Sequence, residues 1–340
     1  MKTFVALAPA QRRRLCEQAG DKLGLEAPSI EKDFWVCWVL RELFTLAEFG
    51  PRLTFKGGTS LSKAWKLIER FSEDIDVVID RDFLGFGGAQ APETAPSGNQ
   101  RDKRLEGLKS ACQTLIAKRL DPALHKHFRD KLPAGLSWTL KPDADDPDGQ
   151  TLLFQYPAVF SSGAYLRPAV KIELGARSDT EPSATPEIRP YLAEALPGEV
   201  KDSAFKLRTL AAERTFWEKA MLLHEETYRA GAKGPKARLA RHYYDLWRLI
   251  GAGIGDKALS DAALFSRVAA HRAIFFAKKK EAQQSLRPGS LRLLPSEDQR
   301  AAWNQDYEAM REAMFFGETP DFAEILAVVG DFERRFNKTA

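Results

Sequence analysis

Two rhythms of hydrophobic and polar positions run along this chain, and one gives way to the other past its middle. Residues 9–47 read as two helices. The second has Ser29 as its N-cap, Glu31, Lys32 and Asp33 in its first turn, and a broad apolar face from Phe34, Trp38, Leu40 and Phe44. Leu53-Thr54-Phe55-Lys56 predicts a short strand that stops at Gly57-Gly58. Leu61, Ala64, Trp65 and Ile68 then fall at i, i+3, i+4 and i+7, one helical stripe, with Ser62, Lys63, Lys66, Glu69 and Arg70 on the other side. From Asp74 to Asp80, Ile75, Val77 and Ile79 alternate with Asp74, Asp76 and Val78, the period of a strand.

Residues 81–100, rich in Gly, Ala and Pro, read as a surface loop, and 102–119 as a helix. Further strands are expected near 136–141, 151–156 and 168–174, with an acidic turn at 142–149. After about residue 200 the pattern is helical, over 211–228, 240–251, 258–280, 296–315 and 320–337. The expected architecture is an α/β part over 1–200 and an all-helical part over 201–340. The border lies near 180–205, where Pro182, Pro186, Pro190 and Pro197 cluster. No internal repeat is apparent.

Composition narrows the function classes. With 44% hydrophobic and 29% charged residues the chain is ordinary globular protein. A net charge of +4 excludes a histone-like nucleic-acid binder and leaves room for a local basic groove. Cys16, Cys37 and Cys112 show no CxxC spacing, so neither a disulfide framework nor a structural zinc site is expected. The apolar run from Phe34 to Phe44 is too short to span a membrane, and the N-terminus lacks the layout of a secretory signal. A cytoplasmic protein without membrane association is expected.

The densest chemistry lies in FKGGTSLSKAWKLIERFSEDIDVVID, residues 55–80. Gly57 and Gly58 permit positive φ and a close backbone approach to a ligand. Thr59 or Ser60 then opens a helix, whose free N–H groups favour an anion. On the next strand Asp74 and Asp76 project to one face with Cα atoms about 6–7 Å apart. Such a pair suits Mg²⁺, which keeps phosphate oxygens in its shell. A phosphate seat beside a dicarboxylate is the equipment of phosphoryl or nucleotidyl transfer. Taken singly, Gly-Gly is a turn and Asp-x-Asp a solvated strand face; the linking helix brings the two signals together.

This segment resembles the signature of the DNA polymerase β-type nucleotidyltransferase superfamily. More closely, the chain resembles the AbiEii/AbiGii toxin family, nucleotidyltransferase-like toxins of toxin–antitoxin and phage-exclusion loci. Glu31-Lys32-Asp33, Lys56-Gly57-Gly58-Thr59-Ser60 and Arg70 through Asp76 look like its N-terminal blocks. Lys171-Ile172-Glu173, Glu213 through Lys219, Arg241 through Asp245, Asp306 through Met310 and Met314-Phe315-Phe316 look like its later ones. The resemblance implies an α+β fold: a polymerase β-type core, a mixed sheet flanked by helices, with an all-helical C-terminal part. Counted from Thr59 the gap to Asp74 is slightly longer than the superfamily pattern, and counted from Ser60 it fits. Which hydroxyl touches phosphate therefore stays open.

The resemblance also implies roles. Asp74 and Asp76 would bind metal, Mg²⁺ or Mn²⁺, and the triphosphate. Gly57, Gly58, Thr59, Ser60, Lys63 and Lys219 are the candidate nucleotide-binding residues. Glu173 lies on a strand whose Val170, Ile172 and Leu174 face one way and Lys171 and Glu173 the other. It would be a third carboxylate, ligating metal or deprotonating the acceptor hydroxyl; the plain alternative is a surface pairing with Lys171. Lys219 shares its helix face with Phe216, Ala220 and Leu223, so it either snorkels to the rim or reaches a buried anion. The family makes it a triphosphate contact. Asp245, near Arg241 and Arg248, reads as a helix-surface salt bridge or, by resemblance, as an active-site acid orienting Lys219 or the acceptor and contributing with it to the cleft. Ser72, two residues before Asp74, would carry a charge of roughly −2 beside the metal site if phosphorylated.

The basic stretch Arg229 to Arg241, with Lys233, Lys236 and Arg238, suits a phosphodiester backbone or a solvated connection. Lys278-Lys279-Lys280 reads as a solvated helix end, and His242 as packing near Asp245. The leading function is transfer of NMP from an NTP to the tRNA 3′ acceptor end, blocking translation, with a cognate antitoxin encoded nearby. The alternatives are transfer to a protein or small molecule, and a toxin that binds NTP or RNA without chemistry.

Overall fold

The computed structural model describes residues 1–72, 74–160, 167–229, 235–276 and 280–338. Glu73, Gly231, Lys233, Gly234, Lys278 and Lys279 of the sequence reading lie outside the described residues. The chain divides into two compact units, Met1–Ala64 with Ser72–Thr209, and Trp65–Phe71 with Leu210–Ala340. The division expected at residue 200 falls after Thr209, and residues 65–71 count with the second unit.

The first unit opens with α1 (Lys2–Val5), α2 (Pro9–Leu23) and α3 (Ala27–Phe44). Then come β1 (Leu53–Lys56), α4 (Gly57–Lys63) and β2 (Asp74–Ile79). After the loop, α5 (Gly98–Leu115) runs through a π-turn at Ile116–Leu120 into α6 (Asp121–Lys131). The rest is β3 (Thr139–Pro142), β4 (Thr151–Gln155), β5 (Ala169–Gly175), β6 (Ser183–Ala184), β7 (Glu187–Ile188), α7 (Tyr191–Ala195), β8 (Phe205–Lys206) and β9 (Thr209–Leu210).

Seven of these strands form one mixed sheet in the order β3-β4-β5-β2-β1-β9-β6. β2 is central, antiparallel to β1 and parallel to β5. One sheet face is apolar: Phe55, Ile75, Val77, Ile172 and Phe154 are all buried. α3 packs near it, with Trp38 stacked on Phe154 at 5.6 Å between ring centroids. That leaves the opposite face for the polar members of the same alternation.

Three local expectations are corrected. α3 begins at Ala27 after Glu26, with Pro28 in its first turn, so Ser29 is not the N-cap. Glu31, Lys32 and Asp33 therefore fall deeper in the helix, where all three are buried. α4 ends at Lys63 rather than near Arg70, and Lys66 has a positive φ of 54° that no helix admits. Leu61 and Ala64 thus pack in the first unit, while Trp65 and Ile68 belong to the second. Ser62, Lys63 and Arg70, expected on a polar outer side, are buried.

The second unit comprises α8 (Ala212–Thr227), α9 (Arg241–Gly251), α10 (Ile254–Ser260), α11 (Ala262–Phe275), α12 (Lys280–Gln284), α13 (Glu297–Met314) and α14 (Phe322–Asn337). The helix expected over 258–280 is split at Asp261, whose carboxylate accepts the N–H of Leu264 and caps α11. Trp217, Phe265, Phe332 and Phe336 form one aromatic core. Phe71 donates its N–H to the Met314 carbonyl at 2.7 Å, and Trp65 Nε1 donates to the Leu210 carbonyl at 3.0 Å, seating segment 65–71. Among the described residues no helix is long and apolar enough to cross a membrane.

Candidate active site

Alternation along β2 puts Asp74 and Asp76 on the sheet face opposite Ile75 and Val77, both half-buried. Register extends this polar face sideways. Asp74 stands opposite Lys171 and Asp76 opposite Glu173 on β5, and Asp76 stands opposite Lys56 on β1. Directly opposed residues share a face, so three strands present one charged row. Lys171 Nζ lies 2.7 Å from Glu173 Oε1, so the surface pairing exists. Burial works to lower the Lys171 pKa, but Glu173 and Asp74 outweigh it and the pKa is raised. Lys56 Nζ donates to Ser178 Oγ at 2.9 Å.

The step from β1 into α4 is tight. Gly57 has φ of 81°, and a Cβ there would lie 1.9 Å from Asp76 Oδ2. Glycine is needed for both reasons. The hydroxyls of Thr59 and Ser60 bond within the turn. Thr59 and Ser60 are fully buried. The Thr59 hydroxyl donates to the Asp74 carbonyl and is hydrogen-bonded to the Ser72 hydroxyl at 2.8 Å. Ser60 Oγ donates to the Gly57 carbonyl at 2.9 Å. The two hydroxyls between which the sequence left a choice thus clasp the turn itself. Ser72 precedes β2 and meets Thr59 rather than extending the strand face. Lys63, expected among the nucleotide-binding residues, is buried with its ammonium 2.7 Å from Asp33 Oδ1.

Within the second unit, α8 and α9 bring together the other candidates. Lys219 sits on the buried side of α8 with Phe216, Ala220 and Leu223. Its Nζ lies 2.8 Å from Asp245 Oδ2 and 3.3 Å from His242 Nδ1. It reaches a buried anion rather than snorkelling. Asp245 takes neither Arg241 nor Arg248 as its close partner: Arg70 holds it in a fork, Nε to Oδ1 at 2.7 Å and Nη2 to Oδ2 at 2.9 Å. Arg248 pairs with Glu69 instead. Burial opposes the Asp245 charge, but Arg70 and Lys219 outweigh it and hold the carboxyl far below its ordinary range. The Lys219 pKa is lowered by burial, with Arg70 adding to it against Asp245. His242 is pushed well below its ordinary value by burial, then by Lys219 and Arg241.

Sequence reasoning missed Arg70 as the partner of Asp245 and Asp33 as the partner of Lys63. Both pairings are long-range, and the only signal was that Asp33, Arg70 and Asp245 fall inside the family-like blocks.

For a metal, Asp74 and Asp76 offer a pair of hard oxygen donors on one strand face. Among the described residues no group of three or more His, Cys, Asp or Glu side chains is gathered closely enough to hold an ion. Glu173 stands in register with Asp76 on the same face, and its carboxylate is engaged by Lys171. Two carboxylates still suit Mg²⁺, whose remaining positions go to water and phosphate oxygens.

A family model described as the nucleotidyl transferase AbiEii toxin of type IV toxin–antitoxin systems matches residues 38–328. Among solved structures, MenT4, the nucleotidyltransferase toxin Rv2826c from Mycobacterium tuberculosis H37Rv, aligns at 16% identity with a TM-score of 0.40, over 98% of this chain and 94% of that one. JHP933 from Helicobacter pylori aligns at 13% identity with a TM-score of 0.33, over 91% of this chain and 95% of that one. No curated protein matches.

Proposed function

Because the chain belongs to the AbiEii family of nucleotidyltransferase toxins, we propose that it transfers a nucleoside monophosphate from an NTP to the 3′ acceptor end of tRNA and so blocks translation. The observation that carries the nucleotide half of this reading is the contact of Gly57 with Asp76. The backbone bends away with positive φ and no Cβ where the Asp76 carboxylate stands, so the acids and the glycine turn form one constructed corner. The acceptor half rests on the family alone.

In this reading Asp74 and Asp76 are the residues that hold Mg²⁺ or Mn²⁺. Once bound, the cation neutralises charge developing on the phosphates. The acceptor hydroxyl oxygen attacks the α-phosphorus, the bond to the bridging oxygen of the β-phosphate breaks, and pyrophosphate leaves. Glu173, in register with Asp76, takes the hydroxyl proton. Gly57 and Gly58 let the main chain approach the phosphates, while Thr59 and Ser60 keep that turn in shape. The family's candidate for a phosphate-contacting lysine is Lys219, which Asp245 holds within the second unit. The type IV toxin–antitoxin family implies an antitoxin partner, which in this reading is encoded nearby and opposes the toxin.

The test is incubation of the protein with labelled NTPs, Mg²⁺ and total tRNA beside Asp76→Ala. Label on tRNA with wild type and none with the variant is expected. Label on protein or a small molecule would move the acceptor. Binding of NTP without any transfer would leave a sequestering toxin.

A further inference from the structure

Lys63 closes α4 in an environment unlike that of a phosphate-binding lysine. Its ammonium stands between Asp33 Oδ1 at 2.7 Å and the centre of the Tyr191 ring at 3.4 Å. Lys63 and Asp33 are each only 4% exposed. The second oxygen of the same carboxylate, Asp33 Oδ2, accepts the main-chain N–H of Tyr191 at 2.6 Å. One buried carboxylate on α3 therefore fastens the last residue of α4 and the first residue of α7.

α4 needs such a fastening. It has seven residues and begins with two glycines, so its own hydrogen bonds and propensity hold it weakly. Its other end carries the parts that touch the acids. Gly57 abuts the Asp76 carboxylate, and Thr59 donates to the Asp74 carbonyl. Under two turns of helix separate these contacts from Lys63, so a shift at one end reaches the other. A buried ion pair is an expensive way to gain stability, since an apolar pair of the same size does as well. What the charged pair adds is direction: one ammonium position, set by one carboxylate.

We propose that Asp33 and Lys63 are positioning residues for nucleotidyl transfer, seating α4 on α3 so that Gly57 and Thr59 hold Asp76 and Asp74 in working geometry. This rests on the transfer reading above and assigns Lys63 away from the triphosphate.

The test compares wild type, Asp33→Asn, Lys63→Met and the double variant in the full chain. Two readouts are used: kcat and KM for the labelled NTP with tRNA, and amide hydrogen exchange over residues 57–64 without substrate. Each single variant should lose about tenfold or more in kcat, keep the NTP KM within about twofold, and exchange faster at 57–64. The double variant, with no buried charge left unpaired, should be no worse than the poorer single. If Lys63→Met instead raises KM while Asp33→Asn does not, and exchange is unchanged, Lys63 is a ligand contact and the proposal is overturned. Should wild type transfer nothing, the parent reading fails by itself, and exchange still decides the pair: unchanged protection at 57–64 in both singles overturns it. If a single variant does not fold, the double variant carries the exchange measurement.

Discussion

Both oxygens of Asp245 are taken by the Arg70 guanidinium, and Lys219 shares one of them. Arg70 and Asp245 are 175 positions apart in the chain. Two cations thus share one fully buried carboxylate. Loss of the carboxylate should be worse than loss of one cation. Asp245→Asn leaves Arg70 and Lys219 facing each other and is expected to cost about 3–5 kcal/mol. Arg70→Met leaves the Asp245–Lys219 pair intact and should cost less. Urea midpoints of the two variants give the order, and the reverse order would refute this account.

The same cluster sets a pH dependence. His242 has its folded pKa pushed below the ordinary 6.5, so the unfolded chain takes a proton that the folded one refuses. Its contribution to stability is complete above 6.5 and declines as pH falls below that value. Asp245 is also depressed, so its contribution is complete above 3.8 and is lost only below it. His242→Asn should reduce the slope of the stability profile between these two values, leaving the part contributed by His224, which burial also lowers, and leaving the acid limb in place. Urea unfolding across the range checks this; an unchanged slope above 3.8 would remove His242 from the account.

Gly57→Ala should slow transfer strongly. The added methyl collides with the Asp76 carboxylate at 1.9 Å, and the backbone there has φ of 81°. A carboxylate displaced by about 1 Å is expected to lower the rate on the order of 10²-fold. The stability cost should be about 1–3 kcal/mol, the usual strain of a non-glycine residue at positive φ. Single-turnover transfer and a thermal melt separate the two effects. A variant that melts lower but transfers normally would show that the corner is only structural.

Ser72→Glu places a carboxylate against the Thr59 hydroxyl that clasps Asp74. Added negative charge beside two aspartates should weaken metal and triphosphate binding. Transfer is expected to be lost while circular dichroism and melting stay close to wild type, because Ser72 is only half-buried. Full activity in this variant would contradict the placement of Ser72 beside the acids.

Much of the frame was legible because it is local. β1 matches the strand read from Leu53-Thr54-Phe55-Lys56, and the alternation of Ile75 and Val77 with Asp74 and Asp76 foretold which side of β2 is polar. The apolar face of α8 left Lys219 two outcomes, the rim or a buried anion, and it lies buried against Asp245. α4 was overextended because the stripe from Leu61 to Ile68 keeps helical spacing across a break. Periodicity records which residues are buried, and Ala64 and Ile68 are, but in different units.

From the chain alone came the period of each element, the single-faced placement of Asp74 and Asp76, and the requirement for glycine at the turn, since each depends on neighbours a few bonds away. Tertiary structure alone chose the partners of the charges: Asp33 for Lys63, Arg70 and Lys219 for Asp245, Lys171 for Glu173. Burial makes an unpaired charge costly, so each ion takes whichever counterion packing brings near. Packing is decided by the whole core, which no short stretch of sequence contains.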